Sequence, residues 1–174
     1  MCYDARTVPT RSPSSVLREL ASRYCEQLRA ALPDRLVAVV LFGSVARGQA
    51  GPASDIDLLI VAEGLPAGQF ARKRLLAEVD AEFDRTLFAA EAEGIETRLA
   101  RIVLTPAEAA RVRPLYLDLT EDAVLLHDRD GFFAGVLGRV RSSLAQLGSR
   151  RIRTGRTWYW DLKPGAQPGE RIEV

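Results

Sequence analysis

Two short apolar runs, RLVAVVLF (residues 35–42) and DIDLLIVA (residues 55–62), constrain this chain more than any other feature. Both are rich in β-branched residues, too short for a free-standing helix, and without polar alternation, so each reads as a strand buried on both faces. A sheet built on such strands has to be covered by helices, and segments with helical spacing flank them. Residues 14–32 place Val16, Leu17, Leu20, Tyr24, Leu28 and Leu32 on one face, with a serine cap in front and Pro33 behind. Residues 69–93 do the same with Phe70, Leu76, Val79, Phe83 and Leu87, and Gly94 supplies a stop. TRLARIVLT (97–105) predicts a third strand, and Thr105-Pro106 then caps a short helix through AEAARV. DAVLLHD (122–128) predicts a short edge strand, residues 131–148 a last helix, and RRIRTGRTWYWDLKPG (150–165) a basic, aromatic segment. The expected fold class is therefore α/β (α+β): a small mixed, twisted sheet of four to five strands, helices mainly on one face, and a C-terminal helix. Residues 1–13, with Pro9, Pro13 and several hydroxyl side chains, are expected to be a flexible leader. Residues 14–128 are expected to form the sheet domain, with 129–174 a C-terminal helix and basic aromatic segment packed on it.

Composition narrows the classes of function. Across 174 residues, 24 Lys and Arg face 23 Asp and Glu, so the overall charge gives no reason to expect nucleic acid or an anionic membrane as partner. The two cysteines, Cys2 and Cys25, lack metal-ligand spacing and suit reduced thiols. No apolar run approaches the roughly 20 residues that span a bilayer, and the first residues lack the apolar stretch of a signal peptide. The expectation is a soluble, cytoplasmic protein with no membrane partner.

The chemistry lies between the two strands. The first ends in Gly43-Ser44, and the second opens with Asp55 and Asp57, one residue apart. In extended backbone, residues i and i+2 share a face, so both carboxylates lean the same way and repel unless a cation lies between them. Mg2+ suits two carboxylates completed by water and substrate phosphates. A glycine at the end of a strand lets a phosphate approach the backbone, a following short helix turns its N–H groups toward an anion, and a serine adds a hydroxyl donor. Phosphate at one end and metal at the other describe a nucleoside triphosphate site.

These residues resemble a known family, the DNA polymerase beta-like nucleotidyltransferases, and in particular their small prokaryotic, minimal nucleotidyltransferase-like members. The signature is Gly-Ser, ten residues, then Asp-x-Asp, met here by Gly43-Ser44, residues 45–54, and Asp55-Ile56-Asp57 within FGSVARG and SDIDLLIV. The resemblance covers roughly residues 36–105 and implies a Mg2+-dependent enzyme, with one or two ions, that transfers a nucleoside monophosphate from ATP or another nucleoside triphosphate to a hydroxyl and releases pyrophosphate. It implies Asp55 and Asp57 as catalytic metal ligands and Gly43 and Ser44 as phosphate binders, with Arg47 and Ser54 as further nucleotide contacts. The acceptor, whether protein, RNA or small molecule, is not implied. The family also places a third carboxylate on the strand after the long helix, where this chain aligns Arg101; Glu96, Glu108 and Asp118 are the nearby substitutes. That departure keeps a second reading open: a nucleotide-binding, catalytically weak partner or antitoxin of a HEPN-type ribonuclease, as small relatives can be.

Plainer readings stand beside these. Asp55 and Asp57 taken alone fit a solvated strand start or the metal site of a glycosyltransferase, but neither accounts for the upstream Gly-Ser. Arg47 fits a phosphate contact and a loop-pinning residue equally, and Ser54 also suits a turn. His127, the only histidine, reads as an ordinary strand-end residue. The segment with Arg150, Arg151, Arg153, Arg156, Trp158, Tyr159 and Trp160 could stack bases and hold phosphates, or pack its aromatic rings on the domain and solvate its arginines.

Overall fold

A computed structural model describes residues 11–174 except Glu93, Arg156 and Pro168. The expected leader, residues 1–13, thus falls largely outside the described residues, as does Cys2. Pro13 itself is helical: α1 spans Pro13–Ala31, the Ser12 side chain caps it by accepting the Ser15 N–H, and the proline takes the first turn, where its missing N–H costs nothing.

The two apolar runs form β1 (Leu36–Phe42) and β2 (Ile56–Ala62), antiparallel neighbours at the centre of a four-stranded sheet. β3 (Leu99–Leu104) runs parallel to β2, and β4 (Val124–Asp128) runs antiparallel to β1 at the other edge, giving the order β3-β2-β1-β4. The α/β class and the mixed sheet are those the sequence implied. Residue parity along the strands sorts side chains into two cores. Val39, Leu41, Ile56, Leu58 and Ile60 join Leu17, Tyr24 and Leu28 of α1 on one face. Val37, Val40, Leu59 and Val61 join Tyr116, Phe133 and Val140 on the other.

Helices, expected mainly on one face, therefore cover both. On the first lie α1, α3 (Gln69–Leu75) and α4 (Ala77–Glu91), the latter two replacing the single helix expected over 69–93. The chain breaks at Leu76, which is buried, and Phe70, expected on the inner face, is 89% exposed. Arg72 fixes α3 instead: it is buried and donates to the Pro66 and Val103 carbonyls and to both oxygens of Glu108. On the second face lie α5 (Pro106–Ala109), α6 (Pro114–Asp122) and α7 (Phe132–Leu147); α2 is the single turn Gly43–Ala46 after β1. The basic aromatic segment is a β-hairpin of β5 (Arg150–Thr154) and β6 (Thr157–Asp161). Among the described residues no helix is long and apolar enough to cross a membrane.

Candidate active site

Antiparallel pairing sets Phe42, the last residue of β1, against Asp57, so the turn that follows β1 meets the start of β2. Gly43 makes that turn in the left-handed region, with φ of +72°, and its α-carbon lies against the Asp57 carboxylate. A β-carbon built on Gly43 would stand 2.0 Å from Asp57 Oδ2, well inside any contact distance. Glycine is thus demanded twice, by backbone conformation and by close approach. Ser44 follows in the first turn of α2, where backbone N–H groups have no intrahelical acceptor.

Asp57 is half-buried, and its carboxyl is held above the ordinary carboxylate range, first by burial and then by the charge of Asp55, with the Arg47 cation pulling the other way. A half-buried acid near a second acid is the arrangement that a divalent cation relieves. Asp55 precedes β2, where the Ile56 N–H to Arg98 carbonyl bond of 2.9 Å extends the ladder to β3. Both Asp55 oxygens accept from Arg98 Nε, at 3.0 and 3.1 Å. Arg98 is 82% exposed, so an exchange of this partner for a metal costs little ordered structure. Asp55 also borders an open cavity of about 550 Å3 that is lined in addition by Asp84, Leu87, Phe88, Glu96 and Arg98.

Ser54 sits in the connecting loop. Its hydroxyl accepts the Gly51 N–H at 3.0 Å and its carbonyl accepts from Thr97 Oγ1 at 2.7 Å, so it fixes the loop that delivers Asp55. Arg47 closes α2; its Nε donates to Gln49 Oε1 at 3.3 Å, and its guanidinium lies 3.8 Å from Asp122 and 5.0 Å from the Trp158 ring centre. Thus Gly43, Asp57 and Arg47 are brought together, Asp55 joins from the β3 side, and Ser54 stands behind them as loop structure.

The alignment of Arg101 with the third carboxylate is corrected by strand register. Asp57 pairs with Ala100, whereas Arg101 pairs with Leu58 and points to the opposite face, where it donates to Asp80 and the Tyr24 hydroxyl. A shift of one residue along a strand exchanges faces. The place beside Asp57 on β3 is therefore a small apolar side chain. Of the three substitutes, Glu108 is locked by Arg72 and by the Thr105 N–H, and its pKa falls to about 2 through those bonds. Asp118 accepts the indole N–H groups of Trp158 and Trp160. Glu96 alone of the three borders the cavity with Asp55. Among the described residues no group of three or more acidic, His or Cys side chains forms a metal cluster, so an ion on the carboxylate pair would take its remaining ligands from water and substrate oxygens. His127 lies on edge strand β4, opposite Val39 and away from the aspartates in the sheet.

The match to known proteins bears on these same elements. A family model for the nucleotidyltransferase domain matches residues 22–110, from α1 through β3 to α5. The chain belongs to the nucleotidyltransferase domain family. A relative from Methanocaldococcus jannaschii, named as a candidate protein adenylyltransferase, is 26% identical over 145 residues, spanning 82% of this chain and 93% of the relative. A crystal structure of a candidate nucleotidyltransferase from Sulfolobus solfataricus shares 25% identity over 71% of this chain and 94% of its own, with a TM-score of 0.45. An MNT antitoxin from Shewanella oneidensis, solved with its tri-AMPylated HEPN toxin, shares 15% identity over 76% of this chain and 92% of its own, with a TM-score of 0.41. The nucleotidyltransferase match takes in both halves of the Gly-Ser and Asp-x-Asp pattern.

Two contacts of the site escaped the sequence reading. Arg98 faces Asp55 because β2 and β3 run parallel in one register, and Trp158 reaches Arg47 from more than a hundred residues away along the chain. Trp158 is marked in the sequence by the basic aromatic segment around it, and what the sequence does not give is its partner.

Proposed function

We propose that this nucleotidyltransferase is a Mg2+-dependent adenylyltransferase that moves AMP from ATP to a hydroxyl acceptor and releases pyrophosphate. The observation that carries the reading is the close approach of the Gly43 backbone to the Asp57 carboxylate, which joins the Gly-Ser turn and the acidic pair in one site. Asp55 and Asp57 would hold Mg2+, whose charge supports the developing negative charge on the departing pyrophosphate. Gly43 and Ser44 would meet phosphoryl oxygens through their backbone N–H groups, Ser44 adding its hydroxyl, and Arg47 would balance triphosphate charge from the far end of α2. Ser54 contributes by holding the loop rather than by touching nucleotide. The open cavity beside Asp55 gives an acceptor hydroxyl a way in. A protein acceptor accords with the archaeal relative's name, and a buried free thiol at Cys25 accords with the cytoplasm.

Ala100, in the place next to Asp57 on β3, favours a second reading: a nucleotide-binding protein with weak chemistry, acting as partner or antitoxin of a HEPN-type ribonuclease. Incubation with α-labelled ATP, Mg2+ and fractionated lysate separates the two. Transfer of label to an acceptor, lost in Asp57→Asn, supports the enzyme; ATP binding with no labelled fraction and no pyrophosphate supports the partner.

A further inference from the structure

The C-terminal hairpin lies against the one basic side chain of the signature turn. Trp158 is held by its indole N–H, which donates to Asp118 Oδ1 at 2.7 Å, and two guanidinium groups lie over its ring, Arg151 at 4.1 Å and Arg47 at 5.0 Å from the centre. Arg151 is neutralised: it donates to both oxygens of Asp122, at 2.7 and 3.3 Å. Arg47 reaches the same carboxylate only at 3.8 Å, and its side chain is 24% exposed. Its Nε donates to Gln49 Oε1 at 3.3 Å, which leaves the two terminal nitrogens without a close carboxylate partner among the described residues.

Stacking engages the face of a guanidinium and leaves the terminal in-plane N–H donors to fork onto phosphate oxygens. A long arginine at the end of a four-residue helix otherwise samples many rotamers, and fixing it before the ligand arrives removes that entropy cost from binding. We propose that Trp158 is a positioning residue for Arg47, so that the C-terminal hairpin sets the affinity of this site for the triphosphate. The inference rests on the reading that Arg47 meets the triphosphate. Trp160 supplies an internal control, because it donates to the same Asp118 oxygen at 3.0 Å while neither Arg47 nor Arg151 stacks on it.

The test is a double-mutant cycle on Mg-ATP affinity, measured by calorimetry on the full chain, with melting curves to show that each variant is folded. Arg47→Ala should weaken binding about tenfold, and Trp158→Leu about fivefold. Trp158→Phe, which keeps a ring but loses the bond to Asp118, should restore most of that loss, and Trp160→Phe should bind as the wild type does. In the Arg47→Ala background, Trp158→Leu should cost nothing further. If Arg47→Ala binds normally, the phosphate role of Arg47 fails and the positioning role with it. If Arg47→Ala is weak while Trp158→Leu binds normally, or the double variant loses the product of the two effects, the positioning role alone is overturned.

Discussion

Gly43 and Asp57 are the residues on which the site turns. Gly43→Ala places a methyl carbon on the Asp57 carboxylate and asks alanine to hold φ of +72°, so either the turn or the acid must move. The expected result is loss of Mg-ATP binding together with a destabilisation of about 1–2 kcal/mol, read by calorimetry and urea denaturation. Asp57 carries a cost in the metal-free protein, because burial and the neighbouring Asp55 both disfavour its charged form. The sign follows from linkage. A carboxyl whose folded pKa is raised contributes stability below its unfolded value and loses it as pH rises through the folded value. At neutral pH Asp57→Asn should therefore melt about 2 °C higher than the metal-free wild type while failing to bind Mg-ATP. A lower melting temperature would mean that the carboxylate serves the fold.

At the scale of elements, two polar anchors fasten segments that the hydrophobic pattern leaves underspecified. Arg72 ties α3 to α5 across the end of β3 through Glu108, with the Thr105 capping box completing the set. Glu108 has its pKa lowered to about 2, chiefly by the Arg72 bonds and next by the Thr105 N–H, from an unperturbed 4.5. Here the folded value is depressed, so the stabilisation is present above 4.5 and lost as pH falls toward about 2. Glu108→Gln should flatten the acid limb of the stability profile, followed by urea midpoints between about pH 5 and pH 3. Arg72→Ala should cost about 2 kcal/mol, less than a fully buried pair because Glu108 is partly solvated. The second anchor is Asp118, which accepts both indole N–H groups of the hairpin. Asp118→Ala leaves two donors without that acceptor, and the tryptophan emission should shift to the red as the hairpin loosens from α6. Unchanged emission would mean that apolar packing alone holds it.

Seen whole, the molecule is a central antiparallel pair with one parallel and one antiparallel edge strand, covered on both faces, and the site lies where the first strand ends and the second begins. The centre was legible in the sequence because strands buried on both faces must be continuously apolar, and because Gly43 can be replaced by no other residue. The alignment of Arg101 failed on parity, since periodicity locates a strand but not its register, and one residue decides the face. The division of residues 69–93 into α3 and α4 was hidden because the apolar spacing runs unbroken across Leu76, while the bonds that hold Arg72 come from distant segments. The hairpin was hidden for a similar reason: its aromatic residues are ordered by Asp118, which lies 40 and 42 residues before Trp158 and Trp160.

The most direct test of the central claim is the affinity of the chain for ATP with Mg2+ present and with Mg2+ chelated, in the wild type and in Asp55→Asn and Asp57→Asn. Tight binding that requires both the ion and both carboxylates is the predicted result. Equal affinity without Mg2+, or in either aspartate variant, would contradict it.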